Sequence, residues 1–476
     1  MTDSARLRTH RPRWQLPALL TAAAFLGGCA SFSPDGGFAP VQQTAKDRLG
    51  KDLQWARSDA DRDAIDLRVR ELLSKPLSVD DAVQIALLNN RGLQAEYQEL
   101  GIGEADLVQA GRLPNPGVAF ARTTQGGEVE LEWLLAINLA RLIAIPLFME
   151  VESRRFAHTQ LRVSLQMVSL AADTRKAWLN AVAAEETVRY MRQVMQAAEA
   201  SAELARRMQQ VGNFNKLQRA REQGFYADAA LNLARAEQAQ RATRERLTRL
   251  LGLWGAQAQF SLPERLPDLP KSTVDLPDIE RLALEQRLDV RGAKLAAEQT
   301  AKNLGLTRTT RFINVLEVGA IYNTYNDAPS QRGYEIGFEL PLFDWGDARV
   351  AKAEAIYMQA VDRAAQTAID ARSEVREAYT GYRSAYDIAR HQRDEIVPVR
   401  QRIAEENLLR YNGMLIGVFE LLADSRAQIA SVNNYIESLR DFWMAQADLD
   451  MALIGKPSLA RPAGPAPAAE AGGSPH

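Results

Sequence analysis

From Met149 to Val211 the chain runs without proline through a sequence rich in Ala, Leu, Arg, Gln and Glu, all strong helix formers except for scattered residues. At about 1.5 Å per residue such a helix is roughly 95 Å long, several times the diameter of a small domain. No globular core can cover a rod of that length. It must pack on neighbouring rods or form a fibrous coiled coil. Gly212-Asn213 breaks it, and a return helix runs from Lys216 to Leu251, closing at Gly252.

The order then repeats. A Pro-rich link (Pro263, Pro267, Pro270, Pro277) leads into a helix from Asp278 to Leu306, a second rod from Asp347 to Tyr411, a break at Gly413 to Gly417 and a last helix from Val418 to Ile454. Pro146-Leu147-Phe148 recurs as Pro341-Leu342-Phe343, Arg175, Ala177 and Trp178 as Arg376, Ala378 and Tyr379, and Gly212 as Gly413. The offset drifts only between 195 (341 − 146) and 201 (413 − 212), as a duplication with small insertions would leave it. Residues 77–262 are read as the first repeat, 263–277 as a linker and 278–456 as the second repeat. Pro398 lies inside the second rod where the first has Ala197, which predicts a kink or break. In the first half, a helix is expected from Ser78 to about Arg112, closed by Pro114-Asn115-Pro116.

Between the first helix and the rod of each half lie two short stretches of alternating character. These are Val118 to Thr123 and Glu128 to Leu139, around Gln125-Gly126-Gly127, then Phe312 to Asn323 and Tyr334 to Leu340, around Asn326 to Ser330. Each pair reads as a β-hairpin. Along the second stretch Val129, Leu131, Trp133, Leu135 and Ile137 share one face and Glu128, Glu130 and Glu132 the other. In the fourth, Glu335 and Glu339 oppose Tyr334, Ile336, Phe338 and Leu340. Four such strands cannot close a membrane barrel, which needs about eight, and an open edge in lipid leaves backbone groups unpaired. Copies must therefore join: three chains give twelve strands, though two or four also satisfy the hydrogen bonds. The glutamates Glu128, Glu130, Glu132, Glu335 and Glu339 are candidates for a cation-favouring lumen, against the plainer reading of a solvated strand face. Phe120, Trp133, Tyr322, Tyr334 and Phe338 are candidates for a lipid-facing belt.

The first residues carry Arg6, Arg8, Arg11 and Arg13 before a short apolar run from Leu16 to Leu26, the order of an export signal over residues 1–28. Leu26-Gly27-Gly28-Cys29 resembles the bacterial lipobox, which makes Cys29 the acylated N-terminus; Ala30 in place of an Asp favours outer-membrane delivery by the same resemblance. Residues 29–76 read as a polar, extended tether, and 457–476 as a disordered tail rich in Pro, Ala and Gly.

Formal net charge is −2, so no basic field gathers nucleic acid. Cys29 is the one cysteine, which leaves no disulfide or thiolate cluster. His158 and His391 stand alone on rods, and Gly101-Ile102-Gly103 lacks the third glycine and preceding strand of a dinucleotide loop. Neither a metal, a cofactor nor an enzyme activity is expected.

Lipobox, duplicated half, two strands per half, Pro-Leu-Phe at the strand-to-helix junction and Tyr411-Asn412-Gly413 before Val418-Phe419-Glu420-Leu421-Leu422 together resemble the TolC-type outer-membrane factor family. The resemblance implies a mainly α fold with a small β part, in which a homotrimer completes a transmembrane β-barrel and a long α-helical barrel. It also implies an exit duct for efflux or type I secretion, docked to a periplasmic adaptor and an inner-membrane pump of the RND, ABC or a similar class. By the same resemblance Gly212, Asn213, Gly413 and Gly417 lie at the periplasmic tip, with Glu420 and Asp424 candidates for a charged gate ring. This chain has Leu422-Ala423-Asp424 where the family often carries Leu-Asp-Ala. The rival reading is a periplasmic coiled-coil scaffold, which has no need of amphipathic strands.

Overall fold

The computed structural model describes residues 31–311 and 315–457. The leader, Cys29, Ala30, the start of the third alternating stretch at Phe312 and the tail after Pro457 lie outside the described residues. In chain order the elements are α1 (Ala39–Leu49), α2 (Asp59–Leu73), α3 (Val79–Asn89), α4 (Arg91–Ala110), β1 (Gly117–Gln125), β2 (Glu128–Asn138), α5 (Leu139–Gln210) and α6 (Lys216–Leu251). There follow α7 (Ile279–Gln286), α8 (Leu288–Thr310), β3 (Leu316–Tyr325), β4 (Gln331–Phe338), α9 (Asp347–His391), α10 (Val397–Asn412) and α11 (Val418–Ile454). The chain divides into two compact units, one of Met1–Ala39, Gln98–Gln160 and Ala293–Ala364, the other of Pro40–Tyr97, Leu161–Gly292 and Ala365–His476.

The first unit holds a four-stranded antiparallel sheet in the order β1-β2-β3-β4. Gly126 and Gly127 both take positive φ, 58° and 95°, the geometry a two-residue hairpin turn requires and glycine supplies without strain. The first rod starts earlier than the sequence pattern implied. α5 follows β2 without a loop, Asn138 Oδ1 accepting the Arg141 N–H at 2.8 Å as its cap, and Pro146 lies inside it. That proline sits two turns from the end, where its missing N–H costs a single ladder bond. The second half differs: residues 339–346 are irregular before α9, and Gly346 turns at φ 74° with the Arg311 carbonyl 2.9 Å from where a Cβ would stand.

The second unit is a helical pack. Trp178, Leu247, Leu251, Tyr382, Tyr386 and Phe442 are buried together, and the Trp178 indole donates to the Leu77 carbonyl at 2.8 Å. Arg287, 1% exposed, is held by Asp289 at 2.6 Å and Glu374 at 2.7 Å. Lys176 and Asp448 form a second buried ion pair.

Two further sequence expectations are corrected, and a third is met. The stretch read as an extended tether contains α1 and α2: Ser58 and Asp61 form a reciprocal capping box, and Ile65, Val69 and Leu72 bury one narrow face. Eight charged residues in α2 hide that stripe from a reading of polarity alone. The helix expected from Ser78 to Arg112 is two, divided at Asn90, whose side chain accepts the Leu93 N–H and donates to the Leu250 carbonyl. The second rod breaks as Pro398 predicts, through a π-turn at Gln392–Ile396 before α10. The proline ring excludes the ordinary bond to residue 394, and the ladder widens by one residue instead.

Candidate functional site

Strand register decides which side chains share a face. Phe120 lies opposite Trp133, and Trp133 opposite Tyr322, with the Phe120 and Trp133 ring centroids 4.7 Å apart. Tyr334 lies opposite Ala320 and Phe338 opposite Leu316. Since directly opposed residues project to the same side, the five aromatics singled out in the sequence gather on one face with Val118, Leu135 and Ile336. All eight are exposed.

The other face carries the acids. Glu128 lies opposite Gln125, Glu130 between Thr123 and Tyr325, Glu132 between Ala121 and Asn323, and Glu335 opposite Gly319. Glu130 accepts the Tyr325 hydroxyl at 2.8 Å and the Asn323 amide at 3.0 Å, which orients its carboxylate. Glu339 is different: it follows the last residue of β4 and belongs to no strand. The acid that completes this face is Glu317, opposite both Asn138 and Gly337. The alternation Leu316-Glu317-Val318 was the available signal for it. Asn326 ties the two hairpins together, accepting the Val129 N–H at 2.9 Å and donating to the Gly127 carbonyl at 3.2 Å.

Among the described residues β1 pairs only with β2, and β4 only with β3. Each outer edge therefore presents a row of backbone donors and acceptors without a strand partner.

The helical turns also differ from their sequence reading. Gly212 takes φ 79°, with the Asn213 N–H donating back to the Met208 carbonyl at 2.9 Å, while Asn215 and Gln218 cap α6. In the second hairpin the left-handed residue is Met414, φ 57°, not Gly413, φ −80°. The Leu415 N–H closes onto the Arg410 carbonyl at 2.8 Å, so Met414 occupies the conformational place of Gly212. A left-handed backbone costs an ordinary residue about 1–2 kcal/mol. Met414→Gly is expected to stabilise this turn by roughly 1 kcal/mol, seen as slower amide exchange at Leu415; unchanged exchange would contradict it.

Gly417 precedes α11 as its N-cap without a side-chain bond. Glu420 is exposed in the first turn. Asp424 accepts a hydrogen bond from buried Asn407 across the hairpin. One polar cluster had no local sequence signal, because its members lie up to 225 positions apart (426 − 201). Buried Glu222 on α6 accepts the Ser201 hydroxyl of α5 at 2.7 Å and both bonds of Arg426 on α11, at 2.9 and 2.8 Å. The Arg426 guanidinium also stacks over Phe225 at 4.3 Å.

Among the described residues no helix is long and apolar enough to cross a membrane, and no three His, Cys, Asp or Glu side chains gather as metal ligands.

Residues 280–440 match the family model described as outer membrane efflux protein. No curated protein matches the chain. Solved structures do. A membrane protein from Pseudomonas aeruginosa is 20% identical with a TM-score of 0.68, covering 79% of this chain and 92% of that one. The Campylobacter jejuni CmeC outer membrane channel is 16% identical with a TM-score of 0.69, covering 79% and 85%. The open state of the Neisseria gonorrhoeae MtrE outer membrane channel is 18% identical with a TM-score of 0.66, covering 79% and 89%.

Proposed function

We propose, on the premise that the chain is a TolC-type member of the outer membrane efflux protein family, that it is the outer-membrane channel of a tripartite efflux or type I secretion assembly. The observation that carries the reading is the open four-stranded sheet, mainly apolar and aromatic on one face, with Arg122 and Arg332 toward its hairpin turns, acidic on the other, with both outer edges unpaired. In hydrocarbon each unpaired backbone group costs several kcal/mol. Pairing β4 of one copy with β1 of the next removes that cost, and three copies close a barrel of twelve strands. The aromatic face then meets lipid, and the glutamates line the lumen.

By the family resemblance, the turns at Gly212 and Met414 form the periplasmic tip, which docks onto a periplasmic adaptor, and an inner-membrane pump supplies the energy. Glu420 is the residue most exposed to serve as a gate charge, since Asp424 is engaged by Asn407. Cys29, acylated, anchors each subunit to the outer membrane.

The purified, lipidated protein is expected to run as a heat-modifiable trimer and to conduct ions across a planar bilayer. A monomer that leaves the bilayer electrically silent overturns this reading and favours a scaffold.

A further inference from the structure

Residues 33–37 are not loosely attached. The Ser33 N–H and hydroxyl both donate to Glu104 Oε1, at 2.6 and 2.5 Å, and Glu104 is buried on α4. The Gly37 carbonyl accepts the Gln160 amide at 3.0 Å. Phe156 lies so close to Gly37 that a Cβ there would stand 2.2 Å from its ring, at a backbone φ of +73°. The same ring covers Gly103. This turn is moored to α4 and α5 at the level of Phe156.

A lower bound on membrane depth follows. Cys29 stands four positions before Ser33, and a fully extended chain over those four steps spans at most about 14 Å. Phe148 lies eight residues nearer the sheet than Phe156 on the same helix, a rise of about 12 Å. Even fully stretched toward the sheet, the cysteine reaches little beyond Phe148. The leaflet that takes its acyl chains must come down at least that far.

Thickness points the same way. The apolar face of β2 runs from Val129 to Ile137, about 26 Å along the strand. Tilted as barrel strands are, that spans about 20 Å, short of the roughly 25 Å apolar band of outer-membrane barrels. Exposed apolar residues just beyond the sheet continue the band. Ile143, Leu147 and Phe148 are exposed on the first turns of α5, and Leu340, Leu342, Phe343 and Trp345 are exposed after β4, Phe343 at 99%. Both segments leave the sheet from the same end, since Asn138 and Gly337 stand in register through Glu317.

We propose that these exposed residues just beyond the sheet form a second lipid-contacting surface, seated in the periplasm-facing leaflet at the depth the moored, acylated N-terminus imposes. The inference rests on the reading that the sheet spans the membrane and that Cys29 is acylated. Phe343 and Trp345 then occupy the headgroup boundary, where aromatic rings are favoured.

The test is tryptophan quenching in the full-length, lipidated protein, reconstituted in parallel with lipids brominated near the glycerol end and with lipids brominated near the methyl end of their chains. Wild type is compared with Trp345→Phe and with Trp133→Phe, the latter reporting the sheet. The expected result is that bromolipid-quenchable emission falls in both variants. If it falls only in Trp133→Phe, the sheet is in lipid but the surface below it is covered by a neighbouring subunit or water, and the proposal is overturned while the channel reading stands. If it falls in neither, the membrane-spanning sheet itself is wrong, and the proposal goes with it.

Discussion

Arg287→Met is expected to destabilise the helical unit by about 3–5 kcal/mol, the usual cost of removing one partner from a buried ionic group. Arg287 is nearly inaccessible, donating to both oxygens of Asp289, to Glu374 at 2.7 Å and to the Ala452 carbonyl at 3.4 Å. Burial works against its charge, yet Asp289 and Glu374 outweigh burial and hold its pKa above the ordinary arginine range. It thereby joins the start of α8 to α9 and to the last turns of α11. Methionine keeps much of the volume and leaves two largely shielded carboxylates without a cation. The measurement is the urea midpoint followed by helical circular dichroism. The triple variant Arg287→Met, Asp289→Asn, Glu374→Gln is expected to recover most of the loss, because it removes the unpaired charge as well as the bond. A single variant as stable as wild type, or a triple variant no better than the single, would show that this network is not what holds the three helices.

What the sequence revealed follows from how local each signal was. Long rods are legible because proline-free helical composition extends over many turns, and the faces of β2 are legible because Glu128 to Trp133 alternate without interruption. Pro398 announced its break for the same reason: its effect is confined to its own turn. The capped helix α2 was missed because three apolar residues, Ile65, Val69 and Leu72, carry its packing among a majority of charged neighbours. Glycine was also over-read. Gly212 does take the left-handed conformation, but in the second half that conformation falls on Met414, because the closing bond from Leu415 to Arg410 fixes the turn one residue later than the repeat suggests. The Arg287 and Glu222 clusters were beyond reach of any spacing rule, since tertiary packing alone brings Glu374 to Arg287 and Arg426 to Glu222.

Replacing Glu128, Glu130, Glu132, Glu317 and Glu335 with glutamine is expected to abolish any preference of the trimer for cations, seen as a reversal potential moving toward zero in a salt gradient. Successive acids on one strand face stand about 7 Å apart, within the Debye length of about 8 Å at physiological ionic strength. Their fields therefore overlap along β2 rather than acting singly, and the proposed trimer would triple them around one lumen. Tyr325 and Asn323 fix the Glu130 carboxylate within this row, so it should contribute more than a freely rotating acid. Glu339→Gln, outside the sheet, serves as the control and should change the potential least. Because the Debye length shrinks to about 3 Å at 1 M salt, wild-type selectivity must itself fade as both compartments are made more concentrated. A preference that persists in the five-glutamine variant, or that is indifferent to ionic strength, would place the selecting charges elsewhere in the duct and leave this acidic face as no more than a wetted wall.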